Sequence, residues 1–355
     1  MNQILVIGSL NMDVVVRMER LPALGETVLG EEYWNNPGGK GANQAYAARL
    51  AGGQVAMLGS VGTDKYGVRL LELLEKAGVQ VMDIQRDSGQ STGTAFVLTG
   101  TDGSNSIVVV PGANSTCSSE YLAENAELFS KAACVLLQLE IPLESVCSAI
   151  RQAKALGKLV ILNPAPARQD IPEDLFPLLD VITPNETELS VLTGGPAGTV
   201  EEIEQSAKLL LYKGVRNVVV TLGARGSLIV NQNGALLVPA RKVSAVDTTG
   251  AGDCFNGVLA VALSAGMPLE KGQSGRFYQR NPQRCLDFHA YFGGLGIVVA
   301  DVLSGRYVLR GGGLSMERII LDTDIGTDVD DVMAVALAAI SPELKVEGIT
   351  TVYGD

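Results

Sequence analysis

The sequence predicts an α/β protein whose mostly parallel sheet is flanked by helices. Short β-branched, apolar runs recur at Ile4–Ile7, Val135–Leu139, Leu159–Leu162, Val181–Thr183 and Val218–Leu222. Amphipathic stretches separate them at Tyr66–Ala77, Glu144–Ala155 and Glu201–Lys213. The runs are apolar throughout rather than alternating, as strands buried on both faces require. Two further stretches, residues 12–35 and 92–110, alternate like exposed strands, with a turn signal at Thr101-Asp102-Gly103. They are expected to form a small second sheet lying over the first as a lid.

Taken in chain order, the elements carry candidate chemistry at their ends. The first run leads into Gly8-Ser-Leu-Asn11-Met-Asp13 at a strand's carboxyl end, the edge where open α/β sheets bind ligands. Asn11 and Asp13 offer donor and acceptor groups suited to sugar hydroxyls; a strand-end Asx turn accounts for them equally well. Next comes Asn36-Pro-Gly-Gly39-Lys40-Gly41-Ala-Asn43-Gln44, a glycine run opening a helix. It lets backbone and side chains reach a small polar ligand, or it is a plain turn. It is not a Walker A loop, because Lys40 is followed by Gly rather than Ser or Thr.

Farther along, Thr183-Pro-Asn185-Glu186-Thr-Glu188 puts an amide and a carboxylate on one face of a helical turn. They could hold a hydrated Mg²⁺ beside nucleotide phosphates, or simply start a helix with an acidic first turn. Val220-Thr221-Leu-Gly223-Ala-Arg-Gly226 ends a strand in a glycine turn that can admit a nucleotide or serve only as a turn. The strongest string is Asp247-Thr-Thr-Gly250-Ala251-Gly252-Asp253-Cys-Phe-Asn-Gly, followed by the apolar stretch Val258–Ala265. Its glycines permit a tight turn, and the free N–H groups of the helix start make an anion hole. An aspartate there makes sense if Asp253 takes a proton from a substrate hydroxyl while the amides hold the transferring phosphoryl group. The alternative is an N-capping Asp after a glycine turn.

Composition narrows the classes. The 355 residues carry a net charge of −12, from 27 basic and 39 acidic side chains, which leaves no basic excess to meet nucleic-acid phosphates. No apolar run approaches the ~18 residues of a membrane span. The start, MNQILVIGSLNMD, lacks a basic head and cleavage site and reads as a strand rather than a signal peptide. Cys117, Cys134, Cys147, Cys254 and Cys285 stand far apart, which fits reduced thiols and a cytoplasmic location. His289 is the only histidine, which argues against Ser-His-Asp triads, Cys-His pairs and multi-His zinc sites and leaves acid–base work mainly to carboxylates, Lys or Tyr.

The domain reading has three parts. Residues 1–273 form the α/β unit. Residues 274–315 contain five Arg and no Lys, two Asp and no Glu, and six aromatics, with no helical or strand period. So abrupt a shift reads as a segment translated in a shifted frame, or as an odd natural linker. Residues 316–355 return to a strand–helix–strand pattern, too short to bury both faces of a sheet alone.

Gly38–Asn43 and Asp247–Asp253 resemble the two signatures of the ribokinase-like (PfkB) carbohydrate kinases. Further strings in the same order strengthen this: Leu137-Gln-Leu-Glu140-Ile-Pro-Leu-Glu, Leu162-Asn-Pro-Ala-Pro-Ala and Thr-Pro-Asn-Glu-Thr-Glu. The resemblance spans about residues 1–273 and lies nearest the ribose-phosphorylating members. It implies a three-layer fold with a β-sheet lid, ATP-dependent phosphorylation of the 5-hydroxyl of ribose, Mg²⁺, and activation by K⁺. By position, Asp253 would be the base and Gly250, Ala251 and Gly252 the anion hole. Asn11, Asp13, Gly39, Lys40, Gly41, Asn43 and Glu140 would bind ribose, together with Asp253. Asn185, Thr221, Gly223, Gly226 and Gly252 would lie along the nucleotide, Glu188 near Mg²⁺, and Asp247 and Thr249 at the K⁺ site. It also implies a homodimer joined through the lid.

The family continues past this point with an Ala-rich helix and a Ser-Val-Thr-Arg-x-Gly-Ala-Gln-like stretch that completes the adenine pocket and K⁺ loop. Residues 274–315 do not match it. The alternatives are therefore a catalytically impaired chain that binds sugar or nucleotide, or a family kinase for another sugar or a nucleoside. Residues 316–355 resemble the start of a nucleoside hydrolase. There, Asp322, Asp324, Asp330 and Asp331 would be the remnant of a Ca²⁺ site, in a piece too short for hydrolase activity.

Overall fold

The computed structural model describes residues 2–240 and 250–269, and the backbones of 317–323 and 344–351. It divides into two units, one of residues 1–242 and 252–277, the other of 243–251 and 278–355.

The first unit begins with β1 (Gln3–Ile7), β2 (Asn11–Met18) and β3 (Gly30–Gly38), then α1 (Lys40–Leu50), β4 (Gln54–Leu58) and β5 (Ser60–Gly62). It continues through α2 (Lys65–Ala77), β6 (Gln85–Asp87), β7 (Gly93–Gly100), β8 (Asn105–Val110), α3 (Ser119–Glu124) and α4 (Ala126–Lys131). Then come β9 (Ala132–Leu137), α5 (Leu143–Ala155), β10 (Leu159–Leu162), β11 (Val181–Ile182), α6 (Glu186–Thr193) and α7 (Val200–Tyr212). It closes with β12 (Asn217–Thr221), β13 (Ser227–Asn231), β14 (Gly234–Val238) and α8 (Ala251–Ser264).

Among the described residues the main sheet has eight strands, in the order β14-β13-β12-β11-β10-β9-β1-β4. From β12 to β4 every pairing is parallel, while β13 and β14 add an antiparallel hairpin at one edge. Leu5, Ile7, Val135 and Leu137 are buried on one face and Ile4, Val6, Leu136 and Ile161 on the other, so the strands meet apolar cover on both faces. The covering helices carry their own start and stop signals. Asp64 caps α2 by accepting from the Tyr66 and Gly67 amides, and Gly78 ends it at φ +89°. Thr199 and Glu202 form a capping box on α7. Within α2, Gly67, Leu70, Leu71 and Leu74 are buried, a stripe at helical spacing.

The second sheet, β3-β2-β7-β8, comes from the two alternating stretches. The central pair, β2 and β7, is parallel, and the flanking pairs are antiparallel. One face stays open: Tyr33 on β3, Phe96 on β7 and Val108 and Val110 on β8 lie on it and are exposed. A parallel pair, β5-β6, stands apart from both sheets.

Helices α1 and α8 touch backbone to backbone at Gly257, where an added Cβ would lie 2.6 Å from the Gln44 carbonyl oxygen. In the second unit, β15 (Glu317–Thr323) and β16 (Leu344–Thr351) form a parallel pair with Asp322 opposite Thr350. Asp324, Asp330 and Asp331, and the expected helix between these strands, lie outside the described residues, as does the 274–315 segment.

Candidate active site

Five of the strings singled out in the sequence follow the carboxyl ends of parallel strands. Gly8–Asn11 follow β1, Gln138–Glu140 follow β9, Asn163 follows β10, Thr183–Asn185 follow β11, and Gly223–Gly226 follow β12. One edge of the sheet therefore gathers residues more than two hundred positions apart.

Asp253 sits in the first turn of α8, which begins at Ala251 directly after Gly250, a residue at φ +71°. Its side chain does not cap that helix, so the capping alternative falls. The carboxylate is instead 7% exposed and reaches α1, where Oδ2 accepts from Asn43 Nδ2 and Oδ1 from Gln44 Nε2, both at 2.9 Å. Burial pushes Asp253 above the usual carboxylate range, while the Lys40 ammonium and the two amide donors pull it back.

Lys40 opens α1 and is the cation of the pocket. Burial pulls its ammonium down, but Asp253, Glu140, Glu188 and Asp13 together outweigh burial and raise it. Glu140 is held by the Ser9 hydroxyl and by the Lys40 backbone N–H at 3.0 Å. Asp13 lies on β2 and is pushed up to about 6, first by burial and then by Glu140 and Asp253, against the pull of Lys40. Asn11, also on β2, accepts at Oδ1 from Asn114 Nδ2 at 2.7 Å.

Backbone shape makes this convergence possible. Gly39 stands at φ +89°, and a Cβ there would come within 2.6 Å of the Asn11 nitrogen. At Gly41 a Cβ would meet the Gly8 carbonyl carbon at 2.5 Å. The Gly39–Gly41 turn thus lies directly against the chain leaving β1, a contact only glycine allows.

On the neighbouring side, Asn185 and Glu188 form a capping box on α6. Asn185 Oδ1 accepts from the Glu188 amide and Glu188 Oε2 from the Asn185 amide, each at 2.8 Å. Burial raises Glu188, while the Asn185 amide and Lys40 oppose it. Thr221 pairs with Asn185 across the strand ends, and its N–H donates to the Pro184 carbonyl at 3.0 Å. Gly223 has open space where a Cβ would stand, whereas Gly226, at φ +102°, packs against the Val238 carbonyl. An ion pair joins Arg225 to Glu186 beside this turn.

The structure brings together Asn11, Asp13, Gly39, Lys40, Gly41, Asn43, Glu140, Glu188 and Asp253, and sets Asn185, Thr221, Gly223 and Gly226 along the adjoining strand ends. Asp247 and Thr249 lie outside the described residues. Among the described residues, no cluster of three His, Cys, Asp or Glu side chains forms a metal cage. Sequence reasoning missed Gln44 as a partner of Asp253, Gln138, Asn163 and Asn256 as the buried support behind it, and Asn114 as the partner of Asn11. Gln44, Gln138, Asn163 and Asn256 did stand inside strings already singled out. Asn114 lies beyond the lid strands, with no local pattern to mark it.

The fold and this pocket are those of a carbohydrate kinase. The model of the "pfkB family carbohydrate kinase" matches residues 1–277, and the chain belongs to that family. Ribokinase of Haemophilus influenzae is 38% identical over 258 residues, covering 73% of this chain and 84% of the relative. Deoxyribokinase of Salmonella typhi is 39% identical over 257 residues, covering 72% and 84%. The solved structure of Arabidopsis thaliana ribokinase complexed with ribose and ATP has a TM-score of 0.72 at 34% identity, covering 80% of this chain and 91% of that one.

Proposed function

We propose that the chain transfers the terminal phosphoryl group of ATP to the 5-hydroxyl of D-ribose, giving D-ribose 5-phosphate and ADP. The observation that carries this is the buried Asp253 carboxylate, held on both oxygens and facing Lys40. Asn43 adds a second mark. One end of its amide is fixed on Asp253, while its Oδ1 is buried without a protein partner, an acceptor suited to a sugar hydroxyl.

In this reading Asn11, Asp13, Gly39, Lys40, Gly41, Asn43 and Glu140 bind and orient the sugar. Asp253 accepts the proton of the attacking hydroxyl as its oxygen bonds to phosphorus and ADP leaves. The turn Gly250, Ala251, Gly252 offers N–H groups to the transferring phosphoryl oxygens. Asn185, Thr221, Gly223, Gly226 and Gly252 lie along the nucleotide.

No three of the described carboxylates form a cage for a bare cation, so a divalent ion here would keep its water and meet one hard oxygen donor at the nucleotide side. Glu188 would hold Mg²⁺ through its hydration shell, and the ion would neutralise phosphate charge. The K⁺ reading stays with Asp247 and Thr249. The lid sheet excludes water from the pocket, and its exposed apolar face pairs with that of a second copy. The four described cysteines are free thiols, as a cytoplasmic location would keep them. The kinase domain is residues 1–273, with 274–315 the anomalous segment; residues 316–355 add no activity.

The test is ADP formation by the full chain with D-ribose, ATP and Mg²⁺, compared with Asp253→Asn. Absence of ribose-dependent ADP overturns the reading, and turnover equal to the parent's in the variant overturns the role of Asp253. The Salmonella relative favours a second substrate, 2-deoxyribose. A higher kcat/KM for that sugar would replace ribose in the proposal.

A further inference from the structure

Behind Asp253 runs an unbroken chain of buried side-chain amides. Gln138 Nε2 donates to Gln44 Oε1 at 2.6 Å. Gln44 Nε2 donates both to Asp253 Oδ1 at 2.9 Å and to Asn163 Oδ1 at 3.0 Å. Asn163 Nδ2 donates to the Thr183 carbonyl at 3.1 Å. The Thr183 hydroxyl donates to Asn256 Oδ1 at 2.6 Å, and Asn256 Nδ2 donates to the Gly252 carbonyl at 2.8 Å. Gln44 and Gln138 are 0% exposed, and Asn163, Thr183 and Asn256 are also buried.

The chain has only one sense. A backbone carbonyl can only accept, so Thr183 fixes the amide end of Asn163 toward itself and its oxygen toward Gln44. Gln44 must then present its NH₂ group, and its oxygen must face Gln138. If Gln44 were reversed, its oxygen would meet the Asn163 oxygen and the Asp253 carboxylate with no donor among them, while Gln138 would lose its acceptor.

We propose that Gln44 is a positioning residue for Asp253: the one-way amide chain from the Thr183 carbonyl holds its NH₂ group against Oδ1 and fixes the direction in which the carboxylate faces the sugar hydroxyl. The same chain reaches the Gly252 carbonyl, so the base and the first turn of α8 are set by one buried network. Every link from Gln138 Nε2 to the Gly252 carbonyl is made, while Gln138 Oε1 is buried without a partner, and the direction of the links behind Asp253 is fixed by the Thr183 carbonyl.

The inference rests on the proposed role of Asp253, and its test separates the two. The full chain is compared with Gln44→Met, which keeps the volume and removes the donor, and with Gln138→Met, which frees the Gln44 oxygen. The charged groups facing Asp253 are Lys40 from α1, Asp13 from β2, Glu140 after β9 and Glu188 from α6, and all remain in both variants. The expected result for Gln44→Met is a roughly tenfold or larger fall in kcat at neutral pH, with sugar KM within about threefold. The acid limb of the kcat profile should move upward by about one pH unit, because the ionised form loses a donor. Gln138→Met should shift it the same way by less, and the double variant should not exceed Gln44→Met.

Carboxyl ¹³C titration of Asp253, assigned by its loss in Asp253→Asn, reads the shift whether or not the chain turns over. A parent without ribose-dependent ADP formation refutes the proposed function alone. An unmoved Asp253 titration in the folded variants refutes the role of Gln44. Should Gln44→Met fail to fold, an unmoved titration in Gln138→Met refutes it equally.

Discussion

Asn114 reaches across 103 residues of sequence to donate from Nδ2 to Asn11 Oδ1 at 2.7 Å. The same amide accepts the Leu10 N–H at 2.9 Å and donates to the Leu10 carbonyl at 3.1 Å. A buried side chain outside every local motif thus closes the turn that carries Asn11 into the pocket. Asn114→Ala should raise sugar KM by about tenfold or more, through a freed Asn11 and an unsatisfied Leu10 N–H. Nucleotide KM should change little. Steady-state kinetics with each substrate varied in turn checks this.

Asp253→Asn should lower kcat by a factor on the order of 10² to 10⁴, the usual range for loss of a positioned base. Sugar binding should persist, because Asn11, Lys40 and Asn43 remain. Calorimetric titration with ribose, set beside the kinetic assay, separates the two effects.

Asp13 carries a price in stability. Its carboxyl is pushed up to about 6, so the folded state holds a proton that the unfolded chain has already released. Stability from this group therefore falls as pH rises from the ordinary carboxylate range through about 6. The shift is about two units, or at most about 3 kcal/mol at neutral pH. Asp13→Asn should raise the melting temperature at pH ~7.5, with the gain shrinking as the pH drops below about 5, while sugar affinity is lost. Thermal melts at both pH values, with and without ribose, read this out.

Gly39→Ala should harm both fold and pocket. The residue stands at φ +89°, and the new Cβ would lie 2.6 Å from the Asn11 nitrogen. A loss of about 1–3 kcal/mol in denaturant unfolding is expected from backbone strain alone. Sugar KM should rise as the Gly39–Gly41 turn lifts away from β1.

The lid's open face gives a solution test. Phe96 on β7 and Val108 on β8 pair on that face and are exposed at 44% and 60%, so Val108→Glu should fold normally yet sediment as a monomer if the lid joins two copies. A dimer that survives this change must use another surface.

Much of this arrangement was legible in the sequence. The fully apolar runs marked parallel strands because both sheet faces are covered, and their ends marked the pocket because that edge is where an α/β sheet opens. The two alternating stretches separated the lid from the main sheet by period alone. What escaped were relations of distance. Nothing local shows that Gln44 meets Asp253, which lies 209 positions away, or that Asn114 meets Asn11. Asn185 and Glu188 carried two readings, and the capping box explains their spacing without a metal. The hairpin β13–β14 was missed because its second strand, Gly234–Val238, is an exposed edge with no buried face to impose a pattern.

The contact at Gly257 has a consequence for how this enzyme can change over time. With no side chain between α8 and the Gln44 carbonyl, the spacing between the helix that carries Asp253 and the helix that carries Lys40 is fixed by the thickness of the main chain itself. Core side chains elsewhere can be exchanged, and the sheet can relax around them, without resetting that gauge. Sequence drift is thereby decoupled from catalytic alignment everywhere except at a few positions that must stay small.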